Sequence, residues 1–338
     1  MKQTLRVVSV YPNFANKGGA QNVVLQLADR LNEGERPIVM CETPKMQVVA
    51  DYRQRAHFVG FGYRAVKRLA DENTVFISHH RKCTTLLVLM QQVLGKKLKV
   101  IHVAHNIFNN LRWGCFFPRY VVAVSNGVKE NLLNYFRVPE NHVKVIWNGI
   151  RDERNNRNVK EEHGVIDILL PGRICAVKQQ VELVKHMRGR LPKHVRFSFA
   201  GLGADEVLLK QVIMDDPQFR YLGFVNMSEV LNRFDYVCLF SQKEGLPLSL
   251  IEGCIFGKPL ITNNLPAVLD VNRPGETGFA YADFDALLKG LNELPLPGSE
   301  SYMELSRNAR QRYEMFFTEE RMIAQYRELI TEVSENRK

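Results

Sequence analysis

Hydrophobic residues fall along the first half of the chain in short continuous runs, separated by segments with a helical spacing of apolar positions. Continuous apolar runs are typical of strands covered on both faces, and their alternation with amphipathic segments is typical of a parallel α/β sheet. The pattern predicts strands over LRVVSV, PIVMC, HFVGF, TVFIS, KVIHVA, YVVAVS and VKVIW. It predicts helices over AQNVVLQLADRLN, RKCTTLLVLMQQVLG and NGVKENLLNYF.

A polar stretch at 147–164, WNGIRDERNNRNVKEEHG, interrupts this pattern and is the best candidate for a domain boundary. The alternation then resumes, with strands predicted over DILLPG, VRFSFAG, FRYLG, YVCLFS and PLIT and helices over QQVELVKHMRGR and SEVLNRF. Two more helices are predicted near 299–316 and 319–335. The 338 residues therefore suit two α/β domains, because a domain commonly holds about 150 residues.

Two glutamates, Glu244 and Glu252, lie in KEGLPLSLIEGCIFGKPLI, which links a predicted buried strand to a predicted helix. Ligands of open parallel sheets bind at the carboxyl ends of the strands. The start of a helix suits a phosphate, and carboxylates accept hydrogen bonds from hydroxyl groups. The stretch therefore suits a nucleotide sugar, which has a diphosphate between two polyols. The alternative is that Glu252 complements the helix dipole and Glu244 is a solvated loop residue.

Two further loops carry features that suit an anionic ligand. Gly172 ends the strand in DILLPG and is followed by Arg173 and Lys178, whose charges could reach one diphosphate. Gly18 and Gly19, between the first strand and the first helix, would let the backbone approach a ligand closely. Neither loop matches the dinucleotide-binding or Walker pattern.

Charge is distributed unevenly along the chain. Residues 1–157 contain 24 Lys or Arg and 11 Asp or Glu, a balance of +13, and the remainder contains 22 and 25, a balance of −3, which together give +10. The basic half predicts an anionic partner, although a merely soluble basic surface is the alternative.

The composition predicts a cytoplasmic protein. No apolar run approaches the ~20 residues of a membrane span, and the start MKQTLRVVSVYP is typical of a first strand rather than of a signal peptide. The six cysteines form no CxxC pair and no zinc spacing, so we expect reduced core residues.

Several of these segments together resemble the retaining family-four glycosyltransferases (glycosyl transferases group 1) of bacterial polysaccharide and lipopolysaccharide synthesis. The family signature is a glutamate, seven residues, and a second glutamate followed by a small-residue helix and GKP. EGLPLSLIEGCIFGKPLI carries this signature whole. The segments GGAQ, VIHVAHN, VVAVSNGVKENL, VKVIWNGI, LLPGRICAVK, FAGLGADE and RYLGFV follow in the family's order.

The resemblance implies the GT-B fold, an α/β architecture in which two Rossmann-like domains with parallel sheets face each other. It implies an acceptor-side domain at 1–157 and a donor-binding domain at 158–316. A C-terminal helix at 317–338 would cross back to pack on the N-terminal domain.

The resemblance also implies a role for each site residue. Glu244 would hold hydroxyls of the donor sugar, and Glu252 would hold the ribose. Arg173 and Lys178 would neutralise the departing diphosphate, and His105 would lie near the transferred sugar. The other donor-binding positions are the first-loop glycines, the glycine before Arg173, the start of the helix and the base site: Gly18, Gly19, Gly172, Leu248, Ser249, Gly223 and Val225.

Some residues depart from the family pattern or allow two interpretations. The family's GG-x-P-E segment reads NNLPAVLD here, with Ala267 in place of the glutamate, which leaves the shape of the donor-sugar pocket open. His79 and His80 suit either a role toward an acceptor phosphate or ordinary loop positions. Asp283 and Asp285 match a metal-binding pattern of another transferase fold, but they precede ALLKGLNEL, so helix capping is expected.

These observations predict a transferase that moves a sugar from a uridine-diphosphate sugar to a glycan or lipid-linked acceptor with retention of anomeric configuration. No metal, other cofactor or nucleic-acid partner is expected. The protein is expected to attach peripherally to the inner face of the cytoplasmic membrane. The alternatives are a nucleotide-sugar epimerase of GT-B shape, which needs no acceptor, and a catalytically silent nucleotide-sugar-binding subunit.

Overall fold

The chain divides into two compact units. The first comprises residues 1–148 with 319–338, and the second comprises residues 149–318. The computed structural model describes the ranges 5–32, 34–95, 98–154 and 164–335.

A parallel sheet forms the centre of the first unit. Its strands within the described ranges are Arg6–Val10 (β1), Ile38–Cys41 (β2), His57–Gly60 (β3), Thr74–Ser78 (β4), Lys99–Ala104 (β5), Tyr120–Ala123 (β6) and Val143–Val145 (β7). They lie in the order β3-β2-β1-β4-β5-β6-β7, and every neighbouring pair is parallel. Each strand coincides with one of the predicted apolar runs.

Helices cover both faces of this sheet. They are Gly19–Leu31 (α1), Ala50–Arg55 (α2), Tyr63–Leu69 (α3), Arg81–Leu94 (α4) and Asn126–Asn134 (α5). Val24 and Leu25 of α1 belong to one buried apolar cluster, and Cys83 and Leu87 of α4 belong to another. Because both faces of the strands are buried, their sequences read as continuous apolar runs rather than alternating ones.

The second unit has a parallel sheet of the same kind. Its strands are Ile166–Pro171 (β8), Val195–Ala200 (β9), Phe219–Gly223 (β10), Tyr236–Leu239 (β11), Leu260–Asn263 (β12) and Gly278–Tyr281 (β13). They lie in the order β10-β9-β8-β11-β12-β13. The apolar pattern predicted β8 to β12 but missed β13, a short strand whose Gly278 packs against the Leu260 carbonyl, with no room for a Cβ atom.

The remaining helices alternate with these strands or follow them. They are Gln180–Met187 (α6), Glu206–Ile213 (α7), Met227–Val230 (α8), Leu248–Ile255 (α9), Pro266–Leu269 (α10), Phe284–Gly290 (α11), Glu300–Phe316 (α12) and Glu319–Glu335 (α13). The predicted SEVLNRF helix is only partly α-helical, because α8 gives way to the 3₁₀ turn Leu231–Arg233.

The last helix, α13, returns to the first unit, where it contacts α1 and β4. Gln26 of α1 donates a hydrogen bond to Glu319 at 2.9 Å, and Arg30 pairs with the same carboxylate at 3.2 Å. Tyr326 and Ile330, four residues apart on one helix face, are buried. The helix spans Glu319–Glu335, as the apolar pattern predicted, whereas the resemblance placed the start of the last segment at 317.

The segment that follows β7 belongs to the second unit. The Ile150 amide donates to the Phe317 carbonyl at 2.9 Å, and the Tyr313 hydroxyl donates to the Ile150 carbonyl at 2.8 Å. Asp152 is held by Arg310 at 2.7 Å. These contacts explain why the second unit begins at residue 149. The predicted boundary after residue 157 lies outside the described residues.

Each sheet reverses its strand order at one point, between β1 and β4 in the first unit and between β8 and β11 in the second. This is the Rossmann-type order, in which the loops at the carboxyl ends of the two strands flanking the reversal form a crevice. The predicted α/β architecture with parallel sheets is confirmed, and it directs attention to the loops after β1, β4, β8 and β11.

Candidate functional site

An ion pair lies at the reversal point of the second unit. Lys178, in the loop after β8, places its Nζ atom 2.5 Å from Oε1 of Glu244, in the loop after β11. The two side chains are 17% and 9% exposed. The structure therefore brings together two predicted site residues that are 66 positions apart, and it pairs them with each other.

Backbone contacts hold these two loops in register. The Gln242 amide donates to the Val177 carbonyl at 2.8 Å, and the Ser241 hydroxyl donates to the same carbonyl at 3.2 Å. Asn263, at the end of β12, donates from its side-chain amide to the Ser241 carbonyl at 2.7 Å. None of these residues was predicted, because their roles depend on which strands are neighbours rather than on a local motif.

Gly172 is required by the backbone of the loop after β8. Its φ of +141° is rarely adopted by residues with a side chain. A Cβ atom on the neighbouring Gly201, which has a φ of +138°, would lie 2.0 Å from the Gly172 carbonyl oxygen. The loops after β8 and β9 therefore pack backbone to backbone, and Gly201 is a structural requirement that sequence reasoning missed.

Arg173 is held by its backbone and leaves its side chain exposed. Its carbonyl accepts a hydrogen bond from the Gln180 side chain at 3.1 Å. Its guanidinium makes no hydrogen bond or ion pair with any residue in the described ranges. A fixed backbone with an uncommitted guanidinium is suited to capture an anion.

The helix α9 begins directly after the Glu244 loop. Leu248 and Ser249 are its first two residues and are half-buried, and no side chain in the described part of the chain caps it. The amide groups of a first helical turn have no intrahelical partners. The predicted backbone positions are therefore at a helix start, as expected.

Glu252 is the fifth residue of α9 and lies in its second turn. Burial raises the pKa of its carboxyl to about 7, and the nearby charge of Glu153 raises it further. Near neutral pH this carboxyl is partly protonated, so it can donate a hydrogen bond as well as accept one.

The predicted base-site residues lie at the end of β10, two strands away from the reversal point. Gly223, the last residue of β10, has a φ of +70°, and its carbonyl accepts from the Gly201 amide at 2.7 Å. Val225 follows in the next loop and is half-buried. A line of backbone contacts thus runs from Gly223 through Gly201 to Gly172.

In the first unit, two histidines meet at the ends of adjacent strands. His79 follows β4 and His105 follows β5, with Nδ1 of His79 2.9 Å from Nε2 of His105 and the rings stacked 5.2 Å apart. Both line a cavity of about 50 Å3 together with Tyr11 and Arg81. His105, the predicted active-site histidine, therefore contacts His79, for which the sequence allowed either a role toward an acceptor phosphate or an ordinary loop position.

Burial keeps these imidazoles neutral near neutral pH. It lowers the pKa of His105 to about 4, and it lowers the pKa of His79 strongly, with a further contribution from the charge of His105. The pKa of His102 falls to about 3, mainly through burial. His102 bonds to the Thr84 hydroxyl at 2.7 Å, as expected for a packing residue.

Gly18 and Gly19 lie where α1 begins. Gly18 has an extended backbone, and a Cβ atom there would meet only the Gln21 side chain, 2.6 Å from its Oε1 atom. Gly19 is exposed. The fold itself does not demand glycine at position 18, and the predicted approach of a ligand to this loop stays a prediction.

Two other candidates have structural roles. Asp283 caps α11 by accepting a hydrogen bond from the Ala286 amide at 2.8 Å, which confirms the capping prediction. Asp285 contacts His186 at 2.9 Å and Arg190 at 3.2 Å. Ala267 is buried in α10. No group of three or more His, Cys, Asp or Glu in the described ranges is arranged to hold a metal ion.

Comparison with known proteins identifies the family. A family model described as "Glycosyl transferases group 1" matches residues 152–312, and one described as "Glycosyltransferase Family 4" matches residues 17–154. This chain is a family-four glycosyltransferase. The two matches together span the loops that carry every predicted site residue.

Curated relatives of this glycosyltransferase share a modest identity with it. An uncharacterised glycosyltransferase of Methanocaldococcus jannaschii is 23% identical over 71% of this chain and 63% of that protein. A capsular polysaccharide biosynthesis glycosyltransferase of Staphylococcus aureus, CapH, is 22% identical over 80% of this chain and 84% of that protein. The chain thus spans slightly less than two thirds of the first of these relatives.

The fold is shared with solved glycosyltransferases. The Anabaena protein Alr3699/HepE, solved in complex with UDP, has a TM-score of 0.83 over 97% of this chain and 100% of that chain, at 14% identity. The GT-B fold predicted for this glycosyltransferase is therefore confirmed. None of the helices in its described part combines the length and hydropathy needed to cross a membrane.

Proposed function

We propose that this glycosyltransferase moves a hexose from a uridine-diphosphate sugar to a glycan or lipid-linked acceptor, with retention of anomeric configuration and without a metal. The observation that carries the proposal is the Lys178–Glu244 pair at the reversal point, with the uncommitted Arg173 on the same loop as Lys178. The UDP and UDP-glucose complexes of HepE support the donor class. The capsule assignment of the S. aureus relative supports a glycan product.

The cations of the second unit are suited to a diphosphate leaving group. The Lys178 ammonium has three donors, and Glu244 uses one of them in the structure. The remaining donors and the Arg173 guanidinium can neutralise the charge that develops on departing UDP, without reorganisation at the moment of reaction. These two side chains carry the charge that a metal ion carries in other transferases.

The two glutamates differ in the roles they can fill. Glu244 is bound by an ammonium, so it is a poor nucleophile but retains lone pairs for sugar hydroxyls. Glu252, with its pKa raised to about 7, repels a diphosphate less than an ordinary carboxylate does. It can exchange hydrogen bonds in both directions with ribose hydroxyls.

A retaining transfer then needs no covalent intermediate on the protein. The bond between the anomeric carbon and the phosphate oxygen breaks while the acceptor oxygen attacks the same face of the sugar. The acceptor proton passes to the departing phosphate oxygen, which Lys178 and Arg173 stabilise.

The test begins with a thermal-shift screen of nucleotide sugars, followed by transfer assays and NMR of the product's anomeric proton. We expect retained configuration and full activity in excess chelator, with transfer lowered in Arg173→Ala and Lys178→Ala. Activity abolished by chelation and restored by magnesium or manganese, with both variants near wild type, would overturn the metal-free proposal. An epimerised sugar formed without acceptor would indicate an epimerase, and binding without turnover a silent subunit.

Calorimetry with UDP alone separates the roles of the glutamates. Glu252→Ala should weaken UDP binding, because its partner is the ribose. Glu244→Ala should lower transfer more than UDP binding, because its partner is the sugar. Equal losses of UDP binding in the two variants would refute the assignment.

A further inference from the structure

The first unit exposes large apolar side chains in one region. In the loop 110–116, Trp113 is 86% exposed and Leu111 is 72% exposed, and in α4 Val93 is 73% exposed. Soluble monomers expose single apolar residues routinely, but clusters of large ones mark contact surfaces.

The exposed residues of α4 lie on one face of the helix. Leu86, Leu89 and Val93 follow Lys82 at spacings of four, three and four residues, which places all four on one stripe. The buried residues of α4, Cys83, Thr84 and Leu87, point away from that stripe. An outer helix stripe is ordinarily polar, so here a second apolar face lies opposite the one that packs on the sheet.

Hydrogen bonds hold the loop beside the start of this helix. Arg81 donates from its guanidinium to the Asn110 carbonyl and to the Asn110 side-chain oxygen, both at 3.0 Å, and it contacts Sγ of Cys115 at 3.6 Å. The Phe116 amide donates to the Thr85 hydroxyl at 3.1 Å. These bonds hold the loop that carries Leu111, Trp113 and Phe116 beside the helix that carries the stripe. We call the exposed apolar residues of the two the apolar surface, and its members are Leu86, Leu89, Val93, Leu111, Trp113 and Phe116.

Along the sequence, the charged residues near this surface are all basic, although in the structure Lys82 is paired with Glu42 at 2.8 Å. Residues 73–129 contain eight Lys or Arg and no Asp or Glu. Arg112 lies at the tip of the loop itself, with its guanidinium 4.9 Å from the centre of the Trp113 ring. The first unit as a whole holds 25 basic and 14 acidic residues, a balance of +11, whereas the second holds 21 and 22, a balance of −1.

We propose that the apolar surface inserts into the headgroup region of an anionic lipid bilayer. Trp113 and the Arg112 beside it suit the boundary between headgroups and acyl chains, where amphipathic aromatic rings and basic side chains are favoured. The surrounding cations suit anionic lipids, whose surface attracts basic segments. Charge complementarity favours a lipid surface over a second copy of this basic unit, which would repel it.

This surface also adjoins the histidine cavity. Arg81, which holds the loop, lines the cavity with His79 and His105, and its guanidinium lies 3.8 Å from the ring centre of Phe108, which lines it too. An acceptor anchored in the bilayer would thereby meet the first unit next to its histidines. In this respect the inference rests on the proposed lipid-linked acceptor, but insertion itself can be measured without any sugar transfer.

The test uses the full chain with vesicles of phosphatidylcholine, alone or mixed with phosphatidylglycerol. The chain has two tryptophans, so a Trp147→Phe background leaves Trp113 as the sole reporter. We expect sedimentation with the anionic vesicles only, weaker at high salt because the charges are screened. We expect a blue shift of Trp113 emission and its quenching by brominated acyl chains. Binding to anionic vesicles without shift or quenching would overturn insertion, and no binding would overturn the proposal entirely.

Matched variants then assign the binding to this surface. Leu86→Gln/Leu89→Gln/Val93→Gln and, separately, Trp113→Ala should each weaken vesicle binding by about tenfold. Val207→Gln, at a 68% exposed valine on a helix of the second unit, should have no effect. An equal loss of vesicle binding in Val207→Gln would show that the apolar surface is not responsible for the binding.

Two further measurements keep the outcomes distinct. Thermal melts followed by circular dichroism report whether the first unit, in which the surface substitutions lie, remains folded in each variant, and sedimentation velocity reports self-association. A wild-type dimer that the triple variant dissociates, without vesicle binding by either, would assign the surface to a second copy instead. Vesicle binding without sugar transfer would overturn the proposed function and leave this inference standing. Sugar transfer by a protein that does not bind vesicles would overturn this inference and leave the proposed function standing.

Discussion

At the reversal point of the second sheet, an ammonium and a carboxylate are fixed 2.5 Å apart, whereas the loops after β4 and β5 of the first sheet hold two imidazoles in a bond of 2.9 Å. Both pairs join side chains from neighbouring loops at the carboxyl ends of strands. The ammonium and the carboxylate form an ion pair, whereas burial lowers the pKa values of the two imidazoles and keeps them uncharged near neutral pH. The same backbone order therefore supports two kinds of chemistry.

The difference follows from what surrounds each pair. The loops that carry Lys178 and Glu244 are bonded to each other and to β12, so two opposite charges can be held together without exposure. His79 and His105 have no carboxylate against them in the described ranges and directly follow buried strands, so desolvation removes their charge instead. A charged leaving group suits the first arrangement, and a neutral hydroxyl-bearing ligand suits the second.

The contrast between the two pairs would be lost if the Lys178–Glu244 pair only stabilised the fold. Lys178→Met should lower kcat/KM for transfer. The decrease should correspond to a loss of roughly 2–4 kcal/mol of transition-state stabilisation, as found when one preorganised donor is removed. The double variant Lys178→Met/Glu244→Gln removes both charges, so it should recover the stability that an unpaired buried carboxylate costs. Thermal melts and steady-state kinetics of both proteins provide the measurement. Recovery of transfer along with stability would show that the pair holds the fold and not the leaving group.

The backbone packing beneath the ion pair gives a second way to test the comparison. Gly201→Ala places a Cβ atom 2.0 Å from the Gly172 oxygen at a φ of +138°, so it should destabilise the second unit by about 3 kcal/mol. Gly223→Ala is the matched control, because its φ is +70° but no atom lies within 4 Å, and it should cost only about 1 kcal/mol.

Labelling of the buried thiols of Cys238 and Cys254 reports opening of the second unit in these variants. Tryptophan fluorescence reports the first unit, since Trp113 and Trp147 both belong to it. Similar losses in the two glycine variants would contradict the tight approach of the two loops.

The sequence allows the strands, most helices and the place of the site to be predicted, because apolar runs and helix starts are local signals. The signature glutamates were found because they flank one helix start. The pairing of Lys178 with Glu244 was not found, because it depends on β8 and β11 being neighbours. The need for Gly201 depends in the same way on the packing of two loops, and the exposure of Trp113 depends on the Arg81 contacts that hold its loop.

The two units should respond to pH in opposite directions. The folded pKa of His105 is about 4, below its unfolded value of 6.5, so its stabilising contribution is present above pH 6.5 and is lost as pH falls toward 4. The folded pKa of Glu252 is about 7, above its unfolded value of 4.5, so its contribution is present below pH 4.5 and is lost as pH rises toward 7. Each group changes stability by up to about 1.4 kcal/mol per pH unit within its window.

Urea unfolding between pH 4.5 and 7.5, followed by tryptophan fluorescence, should show the first unit weakening as the solution is acidified. Thiol labelling should show the second unit weakening as the pH rises toward 7, and Glu252→Gln should reduce this loss because the variant removes the titrating carboxyl. His105→Asn should flatten the response of the first unit. Parallel responses of the two units would show that burial does not set these pKa values.

The smallest effects should come from charges outside both sites. Asp283→Ala removes the cap of α11 and should cost about 1 kcal/mol of stability in the second unit. Asp285→Ala removes only exposed contacts to His186 and Arg190 and should cost about 0.5 kcal/mol or less. Because neither aspartate contacts the Lys178–Glu244 pair, sugar transfer with or without added manganese should stay at the wild-type level in both variants. A loss of transfer that excess manganese restores in either variant would make the Asp283-x-Asp285 segment a metal ligand, and the fixed cations would then no longer account for the leaving group.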